Sequence, residues 1–141
     1  MRWTIALALL SFTATAWAAD VGEIKVVQGA AQIERGKERL PVKVGMAVQE
    51  ADKVVTAAES TVGITFADNS LLSIGPNSVL AIDRYVFDST THVGQFDSTL
   101  SKGTLAVVSG KIVKQSPEAM RVRTPSAIMG VRGTDFIVRV D

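Results

Sequence analysis

The residues able to do chemistry are few and scattered. His92 is the single histidine and sits in the polar run Thr90-Thr91-His92, where it reads as a solvated loop imidazole. A general base must lie within hydrogen-bond reach of what it deprotonates, and a Ser/His/Asp arrangement needs a serine on a sharp exposed elbow. No Gly-x-Ser-x-Gly occurs. Ser109-Gly110-Lys111 looks like the end of a phosphate loop. It lacks the preceding glycine-rich run and the following Ser or Thr, and Ile112-Val113 reads as a continuing strand rather than a helix. Asp83, Asp88 and Asp97 lie around one loop, where carboxylates could meet a hard cation, but their spacing matches no calcium loop. Paired carboxylates for glycoside hydrolysis depend on spatial separation that a sequence does not give. The aromatics Phe66, Tyr85, Phe87, Phe96 and Phe136 fall mostly on strand positions and read as core, not as a sugar platform. The chain has no cysteine, which removes thiol catalysis, thiolate metal sites and redox switching. The expectation is a non-enzyme with no cofactor and no metal.

One remaining cluster closes the chain. Thr124-Pro125 is a breaker, Gly130 and Gly133 flank Val131-Arg132, and Thr134-Asp135-Phe136 leads into a strand. Glycine reaches backbone angles denied to other residues and permits close backbone approach. The reading is a bent connection that turns Phe136 and Val138 toward the core and Ile137 and Arg139 away from it. Arg132 either offers its guanidinium to a partner's carboxylate or phosphate, or fans it onto carbonyls or Asp135 and locks the bend. The locking role is the favoured reading.

The elements that must position these residues alternate with period two along almost the whole chain, the pattern of half-buried strands. Glu23–Val27, Ala31–Glu34, Leu40–Val48, Asp52–Thr56, Thr61–Phe66, Leu71–Ile74, Val79–Asp83, Phe96–Leu100, Thr104–Val108 and Met120–Arg123 read as strands. Turn signals separate them, among them Arg35-Gly36-Lys37, Ala67-Asp68-Asn69-Ser70, Gly75-Pro76-Asn77-Ser78 and Lys102-Gly103. Pro41 argues for an edge strand or an irregular entry. Residues 88–95 read as an exposed loop. No amphipathic helix runs three turns, although single helical turns are expected at Glu118-Ala119-Met120 and over residues 126–129. The domain is all-β: a sandwich, a barrel, or a solenoid-like roll.

Residues 1–18 read as a signal peptide. Arg2 gives a positive start, Ile5–Leu10 an apolar run, and Ala16-Trp17-Ala18 a small-x-small cleavage site. The apolar stretch falls short of the roughly 20 residues of a spanning helix. Cleavage after Ala18 leaves residues 19–141 as one domain in the periplasm or secreted, with no further span. Losing Arg2 from 15 basic residues leaves 14 against 14 acidic. That balance argues against nucleic acid as a partner.

The residues also resemble a family. The run Thr124-Pro-Ser-Ala-Ile-Met-Gly-Val-Arg-Gly-Thr-Asp-Phe-Ile-Val138 is similar to the closing signature of the FecR domain, Thr-Pro-x-Ala-x-x-Gly-Val-Arg-Gly-Thr-x-Phe-x-Val. Asp52-Lys-Val-Val-Thr56 resembles its Gly-Asp-x-(Val/Ile)-x-Thr, with Ala51 replacing the glycine. Phe66-Ala-Asp-Asn-Ser-Leu-Leu72 resembles its Leu-x-Asp-Gly-Ser turn, with Asn69 in the glycine's place, and Gly75-Pro-Asn-Ser-Val-Leu80 its Pro-x-Ser-x-Leu step. The resemblance runs from about Val21 to Val140. It implies a non-enzymatic extracytoplasmic domain, a solenoid-like or β-roll stack of short strands, with a β-sandwich as the alternative. Well-known members relay the state of an outer-membrane iron-siderophore receptor to a cytoplasmic sigma factor. This chain has an export signal where those members have a sigma-binding region and a membrane helix, so it is expected to keep the domain as a binding or sensing module. Its partner would be another envelope protein, with self-association through exposed strand edges open. A structural envelope protein binding peptidoglycan or another polymer is the alternative. The signature residues Thr124, Pro125, Gly130, Arg132, Gly133, Thr134 and Phe136 are the candidate interaction site.

Overall fold

In Thr61–Phe66, Val62, Ile64 and Phe66 are buried while Thr61, Gly63 and Thr65 lie half-exposed. The same period-two rule sets the inside and outside of nearly every strand. A computed structural model describes residues 19–131, 133 and 135–141; the expected signal peptide, Arg132 and Thr134 lie outside the described residues. In chain order the strands are β1 (Asp20–Gln28), β2 (Ala31–Arg35), β3 (Glu38–Pro41), β4 (Ala47–Gln49), β5 (Lys53–Thr56), β6 (Thr61–Phe66), β7 (Leu71–Ile74), β8 (Val79–Phe87) and β9 (Gly94–Val108). A short helix, α1 (Lys111–Gln115), precedes β10 (Met120–Arg123), β11 (Ile128–Gly130) and β12 (Asp135–Val140).

The all-β expectation is borne out, and the strands form one curled sheet, a half-barrel. The long strand β9 joins its two wings. The first half of β9 pairs with β8 and, in parallel, with β10; its second half pairs with β7 and β12. One wing continues β8-β5-β2-β3 and the other β7-β6-β1-β4. Pro41 ends β3, the outermost strand of its wing, where a missing N–H costs the sheet nothing.

Strand β9 stays continuous by changing which residues it buries. Phe96, Ser98 and Leu100 face inward before the corner, and Leu105 and Val107 after it. The parity switches at Gly103, whose φ of +93° lets the chain turn from one wing into the other. Both halves deliver side chains to a shared core, where Phe66, Tyr85 and Phe96 pack with ring centroids 4.6 to 5.4 Å apart, offset in the way aromatic quadrupoles prefer.

Several local expectations are corrected. Leu40–Val48 is not one strand, since β3 ends at Pro41 and β4 begins at Ala47. Lys111–Gln115 is helix, not strand, and Ile112 and Val113, adjacent in sequence, are both buried, which a strand with one solvated face cannot arrange. Its first turn is fixed by Asp68, whose carbonyl accepts from Lys111 N–H at 2.8 Å and whose carboxylate accepts from Ile112 N–H at 3.3 Å. Residues 126–129 form no helical turn: Ile128–Gly130 pairs with β10 as a hairpin closed at Thr124. At Glu118-Ala119-Met120 a turn, with Ala119 N–H donating to Ser116 carbonyl, passes directly into β10. The loop at residues 88–95 is shorter than expected, since Gly94 and Gln95 already pair with Phe87 and Val86.

Candidate functional site

The polar residues of the upstream motifs are buried clamps. Asp52 is fully buried, and Arg35 of β2 forks onto both its oxygens, Nε to Oδ1 at 2.9 Å and Nη2 to Oδ2 at 2.8 Å. Gln49 N–H also donates to Oδ2, at 2.8 Å, and the same guanidinium reaches the Ala47 carbonyl at 3.1 Å. This one pair therefore ties β2, β4 and the start of β5. The hydrogen bond to Asp52 raises the Arg35 pKa above its ordinary value. Ala51, which stands in for the glycine of the motif that this stretch resembles, sits at φ +72°, a left-handed angle that glycine adopts without strain.

Asp68 plays the same part on the other wing. Its carboxylate accepts from Tyr85 hydroxyl at 2.9 Å and Ser70 hydroxyl at 2.7 Å, while its N–H donates to the Tyr85 oxygen at 2.9 Å. Burial, followed by the Asp68 charge, pushes the Tyr85 phenol well above its ordinary range. Asn69 supplies the positive φ of +69° that its glycine counterpart would, as Asn tolerates the left-handed region.

Thr56 and Ser78 fasten the corner of the sheet. Thr56 hydroxyl donates to Gly75 carbonyl at 2.6 Å and accepts from Ser78 N–H at 2.9 Å. Ser78 hydroxyl donates to Pro76 carbonyl at 3.1 Å and accepts from Thr104 N–H at 3.0 Å. A Cβ added at Gly103 would run into Ser78.

The described signature residues do not gather into one cluster. Thr124 closes the β10–β11 turn, its hydroxyl accepting from Ala127 N–H at 3.1 Å, and Pro125 sits exposed within that turn. Gly130 is an exposed strand residue opposite Arg121, with ordinary backbone angles and open space where a Cβ would go. The expected bend belongs to Gly133 alone, at φ +104°, whose carbonyl accepts from Ser109 hydroxyl at 2.8 Å. Phe136 is partly buried and Val138 buried, while Ile137 and Arg139 face outward, as expected.

The remaining candidates each have local hydrogen-bond partners. Asp83 accepts from Thr99 hydroxyl, Asp97 from the Gln95 side chain, and Asp88 from Thr90 and Thr91 N–H. The two loop N–H bonds, Thr91's first, hold the Asp88 carboxyl below the usual range. Among the described residues no three metal-type ligands group together. His92 holds a turn rather than a site: at φ +61° its N–H donates to Asp88 carbonyl, and its ring stacks on Phe87.

What the sequence reading missed is a face. Register places Ile137, Ala106, Ser73, Gly63 and Val26 in one row across β12, β9, β7, β6 and β1. The next row holds Val108, Leu71 and Thr65. Leu71, Val108, Val26 and Ile137 are 44%, 42%, 49% and 73% exposed, separated only by small side chains. Asp135 and Arg139 border one end and the Glu23–Lys25 pair the other. The signal was present in the adjacent apolar pairs Leu71-Leu72, Val107-Val108 and Val26-Val27. Alternation forces one member of each such pair outward.

No curated protein and no solved structure matches the chain. Residues 52–141, from the buried clamp Asp52 through the closing signature, match the model of the family described as FecR protein. The chain belongs to that family.

Proposed function

We propose that this chain is a non-enzymatic binding module of the cell envelope that engages a protein partner through the outer face of β12, β9, β7, β6 and β1. The FecR family is signalling-related and envelope-associated, and among the described residues no helix is long and apolar enough to cross a membrane. The observation that carries the reading is the exposed apolar patch of Leu71, Val108, Val26 and Ile137 with a charged rim, the anatomy of a protein interface. A protein fits it better than a glycan. Sugar sites present exposed aromatic rings, and Phe66, Tyr85 and Phe96 are buried in the core.

The test is in-cell photo-crosslinking from Leu71 and Val108, compared with Gln32 on the opposite wing, followed by mass spectrometry. The expected result is one protein captured from both patch positions and not from Gln32, lost when Val108→Glu is introduced. Capture of wall fragments, or the same products from all three positions, overturns the reading.

A further inference from the structure

Strand β12 is paired along one side only. Asp135–Val140 runs antiparallel to Gly103–Val108 of β9, and no other described strand lies along its second edge. A free edge presents a row of unpaired N–H and C=O groups, which proteins ordinarily shield with charge or proline. β12 has no proline, and its two charges, Asp135 and Arg139, are of opposite sign, both exposed and on the face that carries Ile137. An edge meant to repel its own copies would carry one sign. This edge carries a complementary pair.

We propose that β12 pairs with β12 of a second copy of this chain, antiparallel about a two-fold axis through Ile137. That register sets Asp135 of each copy opposite Arg139 of the other, Ile137 opposite itself, and Phe136 opposite Val138. Moving the axis to Val138 would set Asp135 against Asp141, and moving it to Phe136 would set Asp135 against Ile137. The register centred on Ile137 is thus the one that satisfies both charges, and it is isologous, as two-fold dimers require. Directly opposed side chains in an antiparallel pair lie about 4.5–5.5 Å apart at Cβ, close enough for the ion pairs to form. A six-residue strand buries less than the roughly 1,000 Å² of a persistent interface, so the association is weak and concentration-dependent. It uses the edge of the sheet and leaves Leu71 and Val108 free, sharing only Ile137 with the partner face above.

The experiment is sedimentation velocity of the purified protein over a wide concentration range. A monomer–dimer equilibrium is expected. Arg139→Asp or Asp135→Arg alone should weaken self-association at least tenfold, with circular dichroism unchanged. An equimolar mixture of these two single variants, and separately the double charge swap, should restore it. Because the chain contains no cysteine, Ile137→Cys gives an independent reading of the register. It should form an intermolecular disulfide on mild oxidation, whereas Lys25→Cys should not. A protein monomeric at every concentration overturns the proposal, as does a dimer indifferent to the single charge reversals or a mixture that fails to restore pairing.

Discussion

The guanidinium of Arg35 and the carboxylate of Asp52 meet as a two-pronged pair whose acidic partner is 1% exposed and whose basic partner is 30% exposed. Removing Arg35 would strand a buried charge that Gln49 N–H alone cannot satisfy, and breaking a buried pair from one side costs about 3–5 kcal/mol. The partial exposure of Arg35 screens part of that, so Arg35→Ala should destabilise by about 2 kcal/mol. Urea unfolding measures it. A loss below about 0.5 kcal/mol would place the pair among ordinary surface bridges.

The corner of β9 depends on Ser78 and Gly103 together. Ser78→Ala should lose about 1–2 kcal/mol, because Thr104 N–H loses its hydroxyl acceptor. Gly103→Ala should lose more, since the added Cβ meets Ser78 in a left-handed backbone. Thermal melts of the two variants should rank in that order, and the reverse ranking would show that the corner relaxes around a side chain.

Gly130 and Gly133 separate cleanly. Both have open space for a Cβ, but only Gly133 has a positive φ. Gly130→Ala should be neutral within about 0.5 kcal/mol. Gly133→Ala should lose about 1 kcal/mol from left-handed strain, and Gly133→Val about 1–3 kcal/mol. Equal melting temperatures for the three variants would place the strain elsewhere.

Tyr85 gives a pH signature. The folded state raises its pKa above the ordinary 10.0, so folding favours the protonated phenol. Its contribution is complete below pH about 10 and declines as pH rises beyond that, by up to about 1.4 kcal/mol per pH unit. Tyr85 is the single tyrosine, so tyrosinate absorbance reports it alone and should appear only with unfolding. Tyr85→Phe should remove this alkaline slope while lowering stability at pH 7 by about 1–3 kcal/mol, because Asp68 loses both a donor and an acceptor. Tyrosinate appearing while the fold is intact would mean that the hydroxyl reaches solvent.

Alternation is local, which is why Val62, Ile64 and Phe66, or Phe136 and Val138, could be assigned to the interior from sequence. The turn chemistry of Asp68-Asn69 and Gly75-Pro76 marked strand ends for the same reason, since φ preferences belong to single residues. The helix α1 was hidden because Ile112-Val113 looks identical in a strand, and what makes it helical is Asp68, 43 and 44 residues upstream of the N–H groups of Lys111 and Ile112 that it accepts from.

Sequence by itself determined that the chain is all-β, which residues turn it, and, through its motif runs, the family it belongs to. Tertiary structure alone decided that the motif aspartates Asp52 and Asp68 are buried clamps, one on Arg35 and the other on Tyr85 and Ser70. It also decided that Leu71, Val108 and Ile137 gather on one face and that, among the described strands, β12 pairs along one side only. The physical reason is range: backbone preference and period-two burial act between neighbours, whereas register, hydrogen-bond partners and sheet edges are set by strands far apart in the chain.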